Sequence, residues 1–77
     1  MNSKPEMSLS QEELVGLHLI NRGSISSAEA FELYGITRLS ARIFKLRQRG
    51  WNISSEPATD KNRYGHTVNF VRYRMGD

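Results

Sequence analysis

Two short segments that both read as helix stand three residues apart, and that spacing restricts the fold more than any other feature of the chain. The run Ser26-Ser-Ala-Glu29 is a capping box. Its serine hydroxyl can accept from the backbone N–H three residues on, while the glutamate carboxylate reaches back to the N–H of residue 26. A helix over about Ser27–Tyr34 follows, with Gly35 available for the left-handed residue that ends it. Only Ile36 then separates Gly35 from Thr37, a good N-cap residue. A third-helix segment follows from Arg38 to about Arg49, with Leu39, Ile43 and Leu46 at i, i+4 and i+7 as its buried stripe.

Two helices joined by a three-residue turn containing glycine satisfy the spacing of a helix-turn-helix. Glycine permits the reversal, and Ile36 plugs the angle between the helices. An earlier capping box, Ser10-Gln-Glu-Glu13, starts a first helix over about Gln11–Asn21, with Leu9 and Leu14 at the staple positions around it. Leu14 and Leu17 are expected inward there, joined by Val15 and Ile20, with Gly23 just past the end. In the second helix Ala30 and Tyr34 form the inward pair, broadened by Phe31 or Leu33. Two turns are too few to hold alone, so that helix depends on its neighbours.

After Gly50, Trp51-Asn-Ile53 alternates like a strand. Residues 54–66 are almost all loop-formers, and Thr67–Met75 returns as a strand rich in β-branched and aromatic residues. This predicts an antiparallel hairpin with a long basic loop. Trp51, Ile53, Val71, Tyr73 and Met75 would close the core. Strict alternation puts Phe70 on the other face, either exposed or beside a bulge. The fold class is therefore α+β: three helices followed by a two-stranded β-hairpin wing, as a single domain over residues 9–75 behind a flexible tail of residues 1–8.

Charge says where such a domain would work. Residues 1–36 balance to −3 and residues 37–77 to +6, so one half suits a polyanion and the other does not. Five of the eleven Lys and Arg residues fall in the third helix. On a helical wheel Arg38, Arg42, Lys45 and Arg49 lie within an arc of about 60°, about 100° around from the buried stripe. Duplex DNA is the expected partner. Thr37, Arg38, Ser40, Ala41, Arg42 and Lys45 would enter the major groove, with Arg38 or Arg42 on a guanine edge. Lys45, Arg47 and Arg49 would meet phosphate, with Gln48 extending the polar surface. In the wing, Lys61, Arg63 and His66 would lie on the flanking backbone or minor groove. The helix N-termini at Ser26 and Thr37 offer further N–H groups to phosphate. Arg42 also has a competing role, as an ion pair with Glu29 or Glu32 of the second helix.

The run from Ile25 through Ile53 resembles a family of small winged-helix domains found among bacteriophage and prophage proteins. The similarity is carried by Ser26-Ser27-Ala28-Glu29-Ala30, by Gly35-Ile-Thr-Arg-Leu-Ser-Ala-Arg-Ile43, by Leu46-Arg47, by Gly50-Trp51 and by the closing Tyr73-Arg74-Met75. It implies a winged helix-turn-helix that binds DNA, as a transcriptional regulator, an excision-type architectural factor or a replication accessory protein. It supplies no catalytic residue. Arg42 and Ile43 match the family pattern, whereas the long wing with Glu56 and Asp60 departs from it.

Other functions find little support. No nucleophile–base pair, paired carboxylates or glycine-rich phosphate loop is visible, so no enzymatic activity is expected. With no cysteine and only His18 and His66, no metal or other cofactor is expected either. No apolar run reaches the roughly 18 residues a membrane span needs. The N-terminus lacks a secretory signal's apolar core, so the cytoplasm of a bacterial or phage-infected cell, at the nucleoid, is the expected location. Two alternatives stay open beside DNA. One is a winged-helix protein-interaction module with an acidic partner; the other is RNA binding, for which Tyr64 is the only evident stacking residue. A single small domain has about 600–1,000 Å² to offer DNA, so a homodimer or cooperative oligomer is expected, meeting through the acidic first helix.

Overall fold

The computed structural model describes residues 9–76; the tail expected over residues 1–8 lies outside them. The order is α1 (Gln11–Arg22), β1 (Ser24–Ser26), α2 (Ser27–Tyr34), α3 (Leu39–Gln48), β2 (Ile53–Lys61) and β3 (Thr67–Met75). The fold is α+β, three helices with an antiparallel sheet whose long hairpin is the wing.

Both capping boxes form in full. Ser10 Oγ accepts from Glu13 N–H at 3.1 Å while Ser10 N–H donates to Glu13 Oε1 at 2.8 Å. Ser26 and Glu29 repeat the exchange at 3.2 and 3.0 Å. Gly35 ends α2 at φ 70°, and its N–H donates to Phe31 C=O. The start of α3 differs from expectation. Thr37 does not cap it; Arg38 occupies the cap position with no side-chain hydrogen bond, and the helix begins at Leu39. Ile36 is buried at 1% exposure in the angle between the helices, as expected, and the turn runs from Gly35 through Arg38.

The sheet has one strand more than the sequence suggests. β1 is only three residues long and pairs with β3 through Ser24–Arg74, Ile25–Tyr73 and Ser26–Arg72, which places β3 at the centre of the order β1-β3-β2. The long loop expected over residues 54–66 is mostly strand. β2 pairs residue for residue with β3 from Ile53–Met75 to Lys61–Thr67, leaving only residues 62–66 as the turn. Backbone pairing overrides the loop-forming composition here. Pro57 is tolerated because β2 is an edge strand. The unbroken register also excludes a bulge at Phe70, which lies half-buried with the Arg72 guanidinium 5.9 Å from its ring centroid. The turn is held by Asn62, whose side-chain oxygen accepts from the N–H groups of Tyr64 and His66.

The core comprises Val15, Leu19, Ile25, Ala30, Ile36, Leu39, Ile43, Leu46 and Ile53, with Leu14, Tyr34, Trp51, Tyr73 and Met75 packed around it. Several inward assignments are corrected. Leu17 and Ile20 are 46% and 62% exposed; Val15 is inward as expected, and Leu19 joins it on the inward face of α1. Phe31 and Leu33 of α2 are exposed, as is Val71 on the outer part of the wing. The choice of face on α1 follows from Gly16, which lies against Trp51. A Cβ there would come within 2.8 Å of the indole Cη2. Gly16→Leu is therefore expected to cost about 2 kcal/mol by overpacking. It should also red-shift the emission of Trp51, the only tryptophan. Chemical denaturation followed by fluorescence checks both; an unshifted spectrum would contradict the contact.

Candidate nucleic-acid interface

With Leu39, Ile43 and Leu46 buried, the remaining positions of α3 divide into three sectors. Ala41 and Gln48 point almost directly away from the core, and Phe44 and Lys45 flank them at about 130° to either side of the stripe. Arg42 and Arg49 lie on the side toward α1. Ser40 and Arg47 lie on the side toward the wing.

Each of these side sectors is held by the body of the protein. Arg42 NH1 stands 3.6 Å from Glu12 Oε1 and Arg49 NH2 stands 3.4 Å from Glu12 Oε2. The Arg42 and Glu12 side chains are only 29% and 16% exposed. Arg42 is thus paired, but to Glu12 of α1 rather than to Glu29 or Glu32 of α2 as expected. Arg49 keeps most of its side chain in solvent. Arg47, expected to meet phosphate, is exposed and also braces the wing. Its Nε donates to Ile53 C=O and its NH2 to Ser55 Oγ, both at 2.9 Å, and the guanidinium lies 5.9 Å from the Tyr73 ring centroid.

Arg38, Thr37, Ser40, Lys45 and Gln48 are exposed, and Ala41 is half-buried. At the wing tip Lys61, Arg63 and His66 are exposed as well. The two groups of cations are carried by different elements, α3 with the turn before it and the far end of the wing, and Arg47 joins α3 to the base of β2. At the N-terminus of α2, Ser26 is 4% exposed and its capping box takes up the N–H groups of Ser26 and Glu29. The N-terminus of α3, by contrast, is uncapped.

Sequence reasoning missed two arrangements. Arg72 grips Glu29 with both terminal nitrogens, at 3.0 and 3.3 Å, and donates to Ser24 Oγ at 3.1 Å, joining β3, β1 and α2. Arg74 pairs with Glu56 at 2.9 Å across the wing, so one acid of the long wing is neutralised within it. The alternation of β3 puts these arginines on a common face, but nothing local identifies their partners. The second arrangement is Phe44, 58% exposed on α3. Its position off the buried stripe is legible from the helical wheel.

Partial burial pushes the Glu29 carboxyl up, but the Arg72 hydrogen bond, the Ser26 N–H and the Arg72 charge together outweigh it. The carboxyl is held below the usual carboxylate range. A depressed folded-state pKa adds stability above the unfolded-state value, and that stability is lost as pH falls through the folded-state value. Thermal melts between pH 7 and pH 3 should therefore show Glu29→Gln less stable than the parent at neutral pH. The gap should close at the acid end; a constant gap would contradict the ionised pair.

Residues 10–77 match a family model described as a winged helix-turn-helix domain. No curated protein matches the chain.

Proposed function

The chain belongs to the winged helix-turn-helix domain family, and from that premise we propose that it binds duplex DNA with α3 in the major groove and the wing tip on the flanking backbone. One observation carries this reading. The acids of the body hold arginines in place, Glu12 with Arg42 and Arg49, Glu29 with Arg72, Glu56 with Arg74. Among the described residues, Arg22, Arg38, Lys45, Arg47, Lys61 and Arg63 have no acidic partner; apart from Arg22 at the end of α1 and Arg47, which is hydrogen-bonded to β2, these are Arg38, Lys45, Lys61 and Arg63. These four sit on α3, on the turn before it and on the wing, the elements such a domain sets against DNA. Arg49 adds a fifth cation at the edge of the set, and Thr37, Ser40 and Gln48 supply neutral hydrogen-bonding groups.

The finer role follows the resemblance to phage and prophage domains: a regulator or accessory factor acting on DNA in the cytoplasm. One domain offers about 600–1,000 Å² to DNA, which is modest for selecting a genomic site. Two copies on a repeated site would remedy that, and Leu17 and Ile20 on the outer face of α1 are apolar surface that pairing would cover.

Selection from a random duplex library with the full chain tests the proposal. An enriched motif is expected, and a two-fold repeat within it would report a dimer. Absence of binding to mixed-sequence duplex at low salt would refute it. Binding that stays near 10⁻⁴ M without sequence preference would instead favour docking to an acidic protein.

A further inference from the structure

We infer that Phe44 and Gln48 make α3 a reader of A·T base pairs, Phe44 lying against a thymine C5-methyl group and Gln48 against the adenine edge. This rests on the DNA-binding reading above and assigns its specificity.

Of the two arginines expected on a guanine edge, Arg42 is turned to Glu12, and Arg38 is exposed at the N-cap, before the first turn of the helix. What projects from the middle of α3 is Ala41, Phe44, Lys45 and Gln48. Of these, Lys45 is a point charge suited to phosphate, and Ala41 is short enough to let the helix approach closely.

Phe44 then requires an explanation. The other three large apolar residues of α3 are at most 3% exposed, whereas Phe44 is 58% exposed on the outward sector. Lys45 on its own helix and Arg38 on the turn before it are exposed and have no acidic partner among the described residues. A surface of that charge selects a polyanion over an apolar protein groove. In the major groove the one apolar feature of the base edges is the thymine methyl group, and aromatic side chains pack on it. Gln48 is one turn on from Phe44, with Cβ atoms about 5–6 Å apart on such a helix. That separation spans one or two base-pair steps at about 3.4 Å each. A glutamine amide offers a donor and an acceptor in one plane, the complement of adenine N7 and N6. The two side chains together match the two halves of A·T pairs.

The test uses the full chain with Phe44→Ala, Phe44→Leu and Gln48→Ala, each checked for fold by circular dichroism. Random-library selection with the parent should enrich a motif containing A·T positions. Replacing thymine by deoxyuridine in that motif removes only the methyl group and should weaken parent binding about fourfold per contacted methyl. Phe44→Ala should bind both duplexes equally, Phe44→Leu should retain part of the difference, and Gln48→Ala should lose the preference for adenine. Parent binding that is indifferent to deoxyuridine, or a motif unchanged by Phe44→Ala, overturns the inference while leaving DNA binding intact; it would assign Phe44 to a protein contact. Failure of the parent to bind any duplex at low salt overturns the inference and the DNA-binding reading together.

Discussion

Reversing the charge at Lys45, Lys61 and Arg63 to glutamate weakens binding to mixed-sequence duplex DNA by about three orders of magnitude at 0.1 M salt. The far-ultraviolet circular dichroism of the triple variant stays that of the parent. These three cations are exposed and touch no acid among the described residues, so removing them takes nothing from the fold. Every phosphate left without its cation also takes about 0.9 off the slope of log affinity against log salt. The parent, neutralising about five or six phosphates, should weaken by about three orders of magnitude between 50 and 200 mM salt. The variant's slope should be shallower by about 2.7. A shallow parent slope would show that these side chains do not meet the backbone. A steep slope in the variant would show that other cations do.

Arg42→Glu behaves in the opposite way: it destabilises the fold by about 3 kcal/mol. Glu12 is largely buried between Arg42 and Arg49, and the substitution would set two carboxylates against each other in a site shielded from water. At about 4–8 °C per kcal/mol for a domain of this size, the melting temperature should fall by roughly 12–24 °C. Any loss of DNA binding by this variant would then follow from unfolding. The charge swap Glu12→Arg with Arg42→Glu should recover part of the stability, although Arg49 then stands beside the new arginine. A double-mutant cycle on Glu12→Ala and Arg42→Ala should show coupling above about 0.5 kcal/mol. Additive effects, or an Arg42→Glu variant as stable as the parent but without DNA affinity, would return Arg42 to the DNA-contacting set.

What is legible in the sequence is what is local. Both helix starts marked by Ser-x-x-Glu are where the capping boxes place them, because the partners lie three residues apart. Gly35 and the stripe of Leu39, Ile43 and Leu46 are legible for the same reason. α1 is harder to read. Leu14, Val15, Leu17, Leu19 and Ile20 surround the helix with apolar groups, so periodicity cannot choose a face. Contact with β1 and with the Trp51 ring over Gly16 decides it. β1 is three residues long, and only β3 makes it a strand. The polar run from Ser54 to Lys61 carries no strand signal of its own; its pairing partners are residues 67–74. Within the candidate site the same division holds. The wheel places the cations on α3, but Glu12 lies thirty residues before Arg42 in sequence, and no local rule joins them. Arg47 reads as a surface cation because its acceptors belong to a strand whose composition is that of a loop.

The central position of β3 also bears on how the molecule comes together during synthesis. β1 and β2 flank it and do not pair with each other, so both wait for the last strand to be made. The helices, built from near contacts, can form while the chain is still lengthening, but the sheet must assemble late. Until then Ile25 has no strand to cover it, and β2 is a lone ribbon with unpaired N–H and C=O groups. An interruption of translation before Thr67 would leave a nascent chain with its helix signals intact and no sheet, a species open to aggregation.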